Sequence, residues 1–220
     1  MVRMPLMYRV YKALRRGWKR MTPEAQQDVR AFVASQKTAH GYMNAGGHED
    51  AYYGQFGDVL EAVFCPVKTL RLLGRTLVVR ESMGRDTVYG KFFAFLSGER
   101  QTSPLNVHLS TLTTNAVCCV LTMQCQMGEQ PDAAYVEWLQ QRQDETGGFH
   151  ASYTSPVPDL LSTAVALFTA RLIGIPVKDA TPFIMAHWLE GGGFTPTVLD
   201  DYSDVEYVFY GLLALGTTCR

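Results

Sequence analysis

The chain has 220 residues, 47% hydrophobic and 19% charged, which suits a single domain (residues 1–220) with a substantial core. Its formal net charge of −1 supplies no global basic field, which argues against nucleic acid as a partner. No apolar run approaches the ~20 residues of a membrane span, and the basic N-terminus lacks the uninterrupted apolar core of a secretory signal, so the cytoplasm is the expected compartment.

The first segment, residues 1–21, carries Arg3, Arg9, Lys12, Arg15, Arg16, Lys19 and Arg20 among Leu6, Met7, Tyr8, Val10, Leu14 and Trp18. This pattern predicts a basic amphipathic helix. Two uses fit it: a capping helix whose apolar side covers the next element, which is the reading adopted, or peripheral contact with an anionic membrane face.

Four helical hairpins are expected over residues 22–216. The first opens at Thr22-Pro23-Glu24, with proline at the first helical position, and its first helix ends at Gly41-Tyr42. After a Gly-rich loop, Gly57-Asp58-Val59-Leu60 is expected to open its second helix. The second hairpin has a helix around Tyr89 to Leu96, a break at Gly98, and a long helix from Leu105-Asn106-Val107-His108. The third runs from Tyr135 to Gly147-Gly148, then from Pro158-Asp159 to Ile173. The fourth runs from Pro182 through Trp188 to Gly191-Gly192-Gly193, then from Ser203-Asp204 to Leu215. No long alternating strand competes, although Thr76 to Arg80 is ambiguous.

Two of these hairpins share a signature. Gly148-Phe149 precedes Asp159-Leu160 by eleven residues, and Gly193-Phe194 precedes Asp204-Val205 by the same interval, the two units being offset by 45 residues. A period of this length suits one hairpin per repeat. Second helices are expected to start at Asp58, Asn106, Asp159 and Asp204, because an Asp or Asn oxygen accepts from the unpaired N–H groups of a first helical turn, worth ~0.5–2 kcal/mol over alanine. The glycine after the first helix permits a left-handed turn. The Phe or Tyr that follows is expected to fold back as an apolar anchor between neighbouring hairpins.

Three segments carry a family resemblance: Phe-Val-Ala-Ser-Gln-Lys-Thr-Ala-His-Gly-Tyr (32–42), Val-Glu-Trp-Leu-Gln-Gln-Arg-Gln-Asp-Glu-Thr-Gly-Gly-Phe (136–149) and Ser-Asp-Val-Glu-Tyr-Val-Phe-Tyr-Gly-Leu-Leu-Ala-Leu-Gly (203–216). They resemble the prenyltransferase/squalene-cyclase repeat, over roughly residues 22–216. The resemblance implies an all-α fold of repeated α/α hairpins, here forming a partial or small α/α toroid. It also implies an apolar, aromatic-lined cavity that takes isoprenoid chains, and chemistry of the terpene-cyclase or prenyltransferase type. A non-catalytic binding or scaffold protein built from the same repeat, engaging a lipid, a protein partner or a second copy of itself, is the alternative.

The chain departs from the family where its chemistry is done. The positions three after the expected helix starts are Glu61, Leu109, Ser162 and Tyr207, none a histidine, so the zinc site of protein prenyltransferases is not expected. The Asp-x-Asp-Asp acid motif of class II cyclases is also missing. Asp200-Asp201-Tyr202-Ser203-Asp204 reads as Asp-Asp-x-x-Asp, which binds Mg²⁺ in class I terpene synthases. Here it falls in an expected loop with Asp204 already accounted for as a cap, and no cofactor is expected. His40, His48, Glu49 and Asp50 share a Gly-rich loop whose spacing fits no metal motif, and a solvated loop is the expectation.

The candidate catalytic residues are Asp204, Glu206, Tyr207 and His108. A buried carboxyl beside aromatic faces suits proton donation to a hydrocarbon and stabilisation of the resulting cation, and His108 occupies the same slot in the second hairpin as Glu206 in the fourth. Tyr210, Ser162 and Asp159 are the candidate substrate-binding residues. Of the five cysteines, Cys118, Cys119 and Cys125 lie in the mostly apolar run Asn115 to Met127 and are expected as buried free thiols.

Overall fold

The computed structural model describes residues 6–65, 87–96 and 109–218. Among these residues the chain forms nine α-helices and four two-residue strands, so the all-helical expectation holds at the level of fold class. The helices are α1 (Leu6–Arg20), α2 (Pro23–Ser35), α3 (Ala51–Phe64), α4 (Val88–Leu96), α5 (Thr114–Met127), α6 (Ala133–Gln140), α7 (Leu160–Ile173), α8 (Thr181–Ala186) and α9 (Val205–Thr217). The strands form two antiparallel pairs: β1 (Tyr42–Met43) with β2 (Glu49–Asp50), and β3 (Trp188–Leu189) with β4 (Gly193–Phe194).

Helix α1 is amphipathic, and its apolar stripe of Ala13, Leu14, Gly17 and Trp18 is buried, mainly on α9. The crossing is so close that a Cβ on Gly17 would stand 2.0 Å from the Leu212 carbonyl oxygen, and one on Gly216 would stand 1.7 Å from that of Ala13. The basic residues of α1 then meet the C-terminal ends of other helices. Arg16 donates from Nε to the Gly216 carbonyl at 2.8 Å, Arg20 donates to Leu215 O at 2.8 Å, and Arg15 donates to Val63 O of α3. Cations at helix C-termini satisfy orphan carbonyls and oppose the negative end of the helix dipole. Three of the arginines that make this segment basic are thereby engaged with helix ends.

The second helices start where side-chain caps supply an acceptor. Asp159 Oδ1 accepts from Ser162 N at 2.7 Å, and Asp204 Oδ1 accepts from Glu206 N and Tyr207 N at 2.9 and 3.2 Å, as the sequence leads one to expect. The first hairpin differs. Its second helix opens at Ala51, capped by Asp50, whose Oδ1 accepts from Tyr52 N at 2.8 Å, and Asp58 lies within the helix. Gly57 does not break this helix. A Cβ there would stand 2.2 Å from the Tyr42 ring, so the glycine makes room for a packed aromatic. The expected start at Asn106 lies outside the described residues. Within them, α5 opens at Thr114 under a Thr113 cap, whose Oγ1 accepts from Ala116 N at 3.3 Å.

With these caps assigned, the hairpins align. Gly57 and Gly211 each sit seven residues after their cap, and each lies under an aromatic ring, Tyr42 and Phe194 respectively. Ala166 holds the same position in α7, and all three turn aromatics, Tyr42, Phe149 and Phe194, are buried. Tyr42 and Phe194 do fold back, but they pack on Gly57 and Gly211 of their own hairpins rather than between neighbouring hairpins. The left-handed glycine precedes the Gly-Phe pair in the third and fourth hairpins, as Gly147 (φ 90°) and Gly192 (φ 100°), whereas in the first hairpin the positive φ falls at Gly47 rather than Gly41. In the fourth hairpin α8 ends at Ala186, and Trp188 belongs to β3 rather than to the helix.

Contacts between hairpins repeat too. Thr114 N at the start of α5 donates to Ala151 O at 2.8 Å, and Leu160 N at the start of α7 donates to Pro196 O at 2.9 Å. The Ala45 backbone N–H in the first hairpin's turn faces the carboxylate of Asp204, the cap of α9. A Cβ on Gly147 would stand 2.3 Å from Asp179 O, just before α8, and one on Gly192 would stand 2.3 Å from Asp28 O in α2. The third hairpin's turn thus approaches the start of α8, and the fourth hairpin's turn approaches the interior of α2.

Candidate functional site

The first turn of α9 brings most of the predicted site residues together. Asp204 is buried, and burial raises its carboxyl above the ordinary 3.8, while the N–H groups of Tyr207, Glu206 and Ala45 pull the other way. Asp159 at the start of α7 is likewise raised by burial and pulled down by its hydrogen bond from Ser162. Ser162 is 1% exposed and belongs to this cap rather than to an open binding surface. Both aspartates are thus occupied in holding helix N-termini.

Glu206 is differently placed. It is 8% exposed, and Oε1 accepts from the Tyr52 hydroxyl of α3 at 2.9 Å. The aromatic rings around this pair are contiguous. Tyr52 packs edge-on against Tyr53 and Phe56 with centroids 5.4 and 5.2 Å apart, and Phe56 meets Phe209 and Tyr210 at 5.3 and 6.0 Å. Such edge-to-face packing aligns ring edges with neighbouring π faces. Burial, then the negative charge of Glu206, raise the Tyr207 and Tyr210 hydroxyls above the ordinary 10, so both remain protonated donors at neutral pH. Tyr210 lies within electrostatic reach of Glu206, Tyr52, Tyr207 and Cys119 of α5, and α9 packs directly on α3 here.

Of the predicted residues, Glu206, Tyr207 and Tyr210 come together, Asp204 and Asp159 serve as caps, and His108 lies outside the described residues. Tyr52 was missed. With the second helix expected to open at Asp58, Tyr52 falls in a loop. Taking Asp50 as the cap instead puts Tyr52 and Phe56 one turn apart on a single helix face.

His187 was also missed. It is fully buried between α8 and β3, and its Nδ1 donates to Phe183 O at 2.8 Å, which leaves the lone pair on Nε2 in the neutral ring. That Nε2 has no hydrogen-bond partner among the described residues. Burial lowers its pKa below the ordinary 6.5, against the opposing influence of the Phe183 carbonyl and the charges of Asp159 and Asp200. The folded state therefore binds this proton less readily than the unfolded chain. Its stability is highest above pH 6.5 and falls as pH drops from there toward the folded-state value. The melting temperature is expected to fall between pH 7.5 and 5.5, at about 2–4 °C per kcal/mol lost. His187→Asn should flatten that slope whatever it does to the absolute melting point. An unchanged slope in differential scanning calorimetry counts against a neutral buried His187.

The remaining candidates are locally engaged. Asp200 Oδ2 accepts from Thr197 N and Oγ1 at 2.9 and 2.7 Å, Asp201 is exposed, and Asp204 is the α9 cap, so the Asp-Asp-x-x-Asp string is spread along a loop. Among the described residues, no group of three His, Cys, Asp or Glu side chains is placed to hold a metal ion. His40 and His48 are exposed on the first hairpin's loop. Cys118 is buried, and burial pushes its thiol up to about 12; Cys119 is raised for the same reason, which keeps both protonated and unreactive at neutral pH. No helix among the described residues is long and apolar enough to cross a membrane.

No family model, curated protein or solved structure matches this chain.

Proposed function

We propose that this chain is a small α/α toroid that handles an isoprenoid or related lipid by terpene-cyclase- or prenyltransferase-type chemistry. The recurring seams support the ring. A helix-start N–H to turn-carbonyl bond links the second hairpin to the third and the third to the fourth, and a different contact, the Ala45 N–H facing the Asp204 carboxylate, links the fourth to the first, which supports a circular order. One observation carries the function: a buried carboxyl that caps no helix, Glu206, held by the Tyr52 hydroxyl among five contiguous aromatic rings where α3 and α9 meet. Aromatic faces suit a polyprenyl chain and stabilise a carbocation formed from it. This chemistry requires the Glu206 carboxyl to take up a proton before the step; it then delivers that proton to a substrate double bond, whose electron pair forms the new C–H bond and leaves a carbocation on the neighbouring carbon, and the carboxylate left behind keeps the Tyr52 hydrogen bond.

A second reading rests on a different observation. Val198, Leu199 and Tyr202 expose apolar surface on one loop, Leu199 being 79% accessible, and Asp159 and Asp204 are already committed as caps. Both facts suit a binding or scaffold protein that keeps the ring without the chemistry.

Titration with farnesol and a saturated C16 alcohol, read by tyrosine fluorescence and product analysis, separates the two. The enzyme reading expects saturable binding, slow conversion of the polyene alone, and loss of conversion with retained binding in Glu206→Gln. Binding without conversion supports the second reading. No binding by either alcohol overturns the isoprenoid proposal.

A further inference from the structure

Toward the other end of α9, about 10–15 Å along the axis from the acid–aromatic cluster by the 1.5 Å rise per residue, lies a cleft of opposite character. It encloses about 270 Å³ and is lined by Arg9, Lys12 and Arg16 of α1 with Phe168, Arg171 and Leu172 of α7. Four of these six side chains are cationic, and no carboxylate among the described residues joins them. A chain with net charge −1 has therefore gathered four positive charges around one small hollow.

The grouping follows from the helices. Positions 9, 12 and 16 are spaced by three and four residues and so share one face of α1. Arg16 and Arg171 are fixed by helix ends, Arg16 Nε on Gly216 O at 2.8 Å and Arg171 Nη1 on Thr217 O at 3.1 Å. Helix capping accounts for these two. It does not account for Arg9 or Lys12. Arg9 keeps a buried Nε without an acceptor among the described residues, an arrangement that costs free energy unless something fills the gap. Lys12 is exposed at the rim, its Nζ 4.9 Å from the Tyr8 ring centroid.

The structure assigns this cleft, we infer, to a phosphate-bearing anion, with Arg9 and Lys12 as the ligand-dedicated cations and Arg16 and Arg171 as a prefixed wall. Guanidinium forks match phosphate oxygens in geometry, and charge-assisted bonds in a partly enclosed site are the strong ones. The volume lies just below the range of sites for drug-sized molecules, which suits a compact phosphate or diphosphate group. The group has two sources, a soluble phosphate ester or a lipid headgroup, and Phe168 and Leu172 offer apolar surface beside it in either case. The site is separate from the acid–aromatic cluster and does not depend on the function proposed for it.

The test uses the full chain and the double variant Arg9→Gln/Lys12→Gln, which leaves the helix-end contacts of Arg16 and Arg171 in place. Calorimetric titration with inorganic diphosphate, and flotation with phosphatidylcholine vesicles with and without phosphatidic acid, provide the two arms. Saturable diphosphate binding, weakened about tenfold or more in the double variant and at raised salt, identifies a soluble phosphate ligand. Binding to phosphatidic acid vesicles alone, lost in the double variant, identifies a headgroup site. Absence of both, or binding that the double variant leaves unchanged, overturns the proposal. The melting temperature of the unliganded variant, expected to match that of the parent chain, shows that any loss is not unfolding.

Discussion

Replacing Gly216 by alanine is expected to force α1 off α9 and to cost about 3 kcal/mol or more of stability, at or beyond the upper end of overpacking effects. The direction is opposite to helix propensity, which favours alanine over glycine by ~1 kcal/mol in a helix interior. The reason lies in what the new methyl group would meet. At position 216 it would stand 1.7 Å from Ala13 O and 2.8 Å from Gly17 N; at position 17 it would stand 2.0 Å from Leu212 O. These are backbone atoms, which cannot rotate away as a side-chain tip does. Separation would also pull Arg16 and Arg20 from the carbonyls of Gly216 and Leu215. Gly54 of α3 is the control, since a Cβ there meets nothing within 4 Å, and Gly54→Ala should stabilise by up to ~1 kcal/mol. Urea denaturation midpoints read both effects. If Gly216→Ala proves as stable as the parent, α1 does not lie on α9 at this distance, and the capping role of its arginines fails with it.

The features legible from sequence are those whose cause is local. Asp159 and Asp204 announce helix starts because the cap acts within three residues. The same local rule misplaced the start in the first hairpin, where Asp50 and Asp58 both qualify and Gly57 imitates a break. Only the Tyr42 ring, brought back across the turn, explains why a glycine stands there. The basic segment 1–21 reads alike for a membrane face and for a helix cover, because the carbonyls met by Arg15, Arg16 and Arg20 lie 48 to 200 residues away. His187 gave no signal at all. Its importance rests on burial and on an unpartnered Nε2, and neither is written in the residues beside it. At the acid–aromatic cluster, the half contributed by α9 was legible as Glu206, Tyr207 and Tyr210, whereas the half contributed by α3 followed its misplaced helix start.

The join between the fourth hairpin and the first is tested by a neighbouring pair of glycines. Gly191 and Gly192 both adopt positive φ, 96° and 100°, so alanine at either strains the backbone by order ~1–3 kcal/mol. Their surroundings differ. A Cβ on Gly191 meets nothing within 4 Å, whereas one on Gly192 would stand 2.3 Å from the Asp28 carbonyl and 2.4 Å from Val29 N in α2. Gly191→Ala should therefore show the strain alone. Gly192→Ala should show the strain plus roughly 1–3 kcal/mol of overpacking against helix backbone. Gly147→Ala makes the corresponding change between the third and fourth hairpins, where a Cβ would stand 2.3 Å from Asp179 O, and it should cost about as much as Gly192→Ala. The comparison removes backbone strain as an explanation, because all three glycines share it. Equal midpoints for Gly191→Ala and Gly192→Ala would mean that the fourth turn does not rest on α2 in solution. The circular order proposed for the hairpins would then lose the contact that joins its last member to its first.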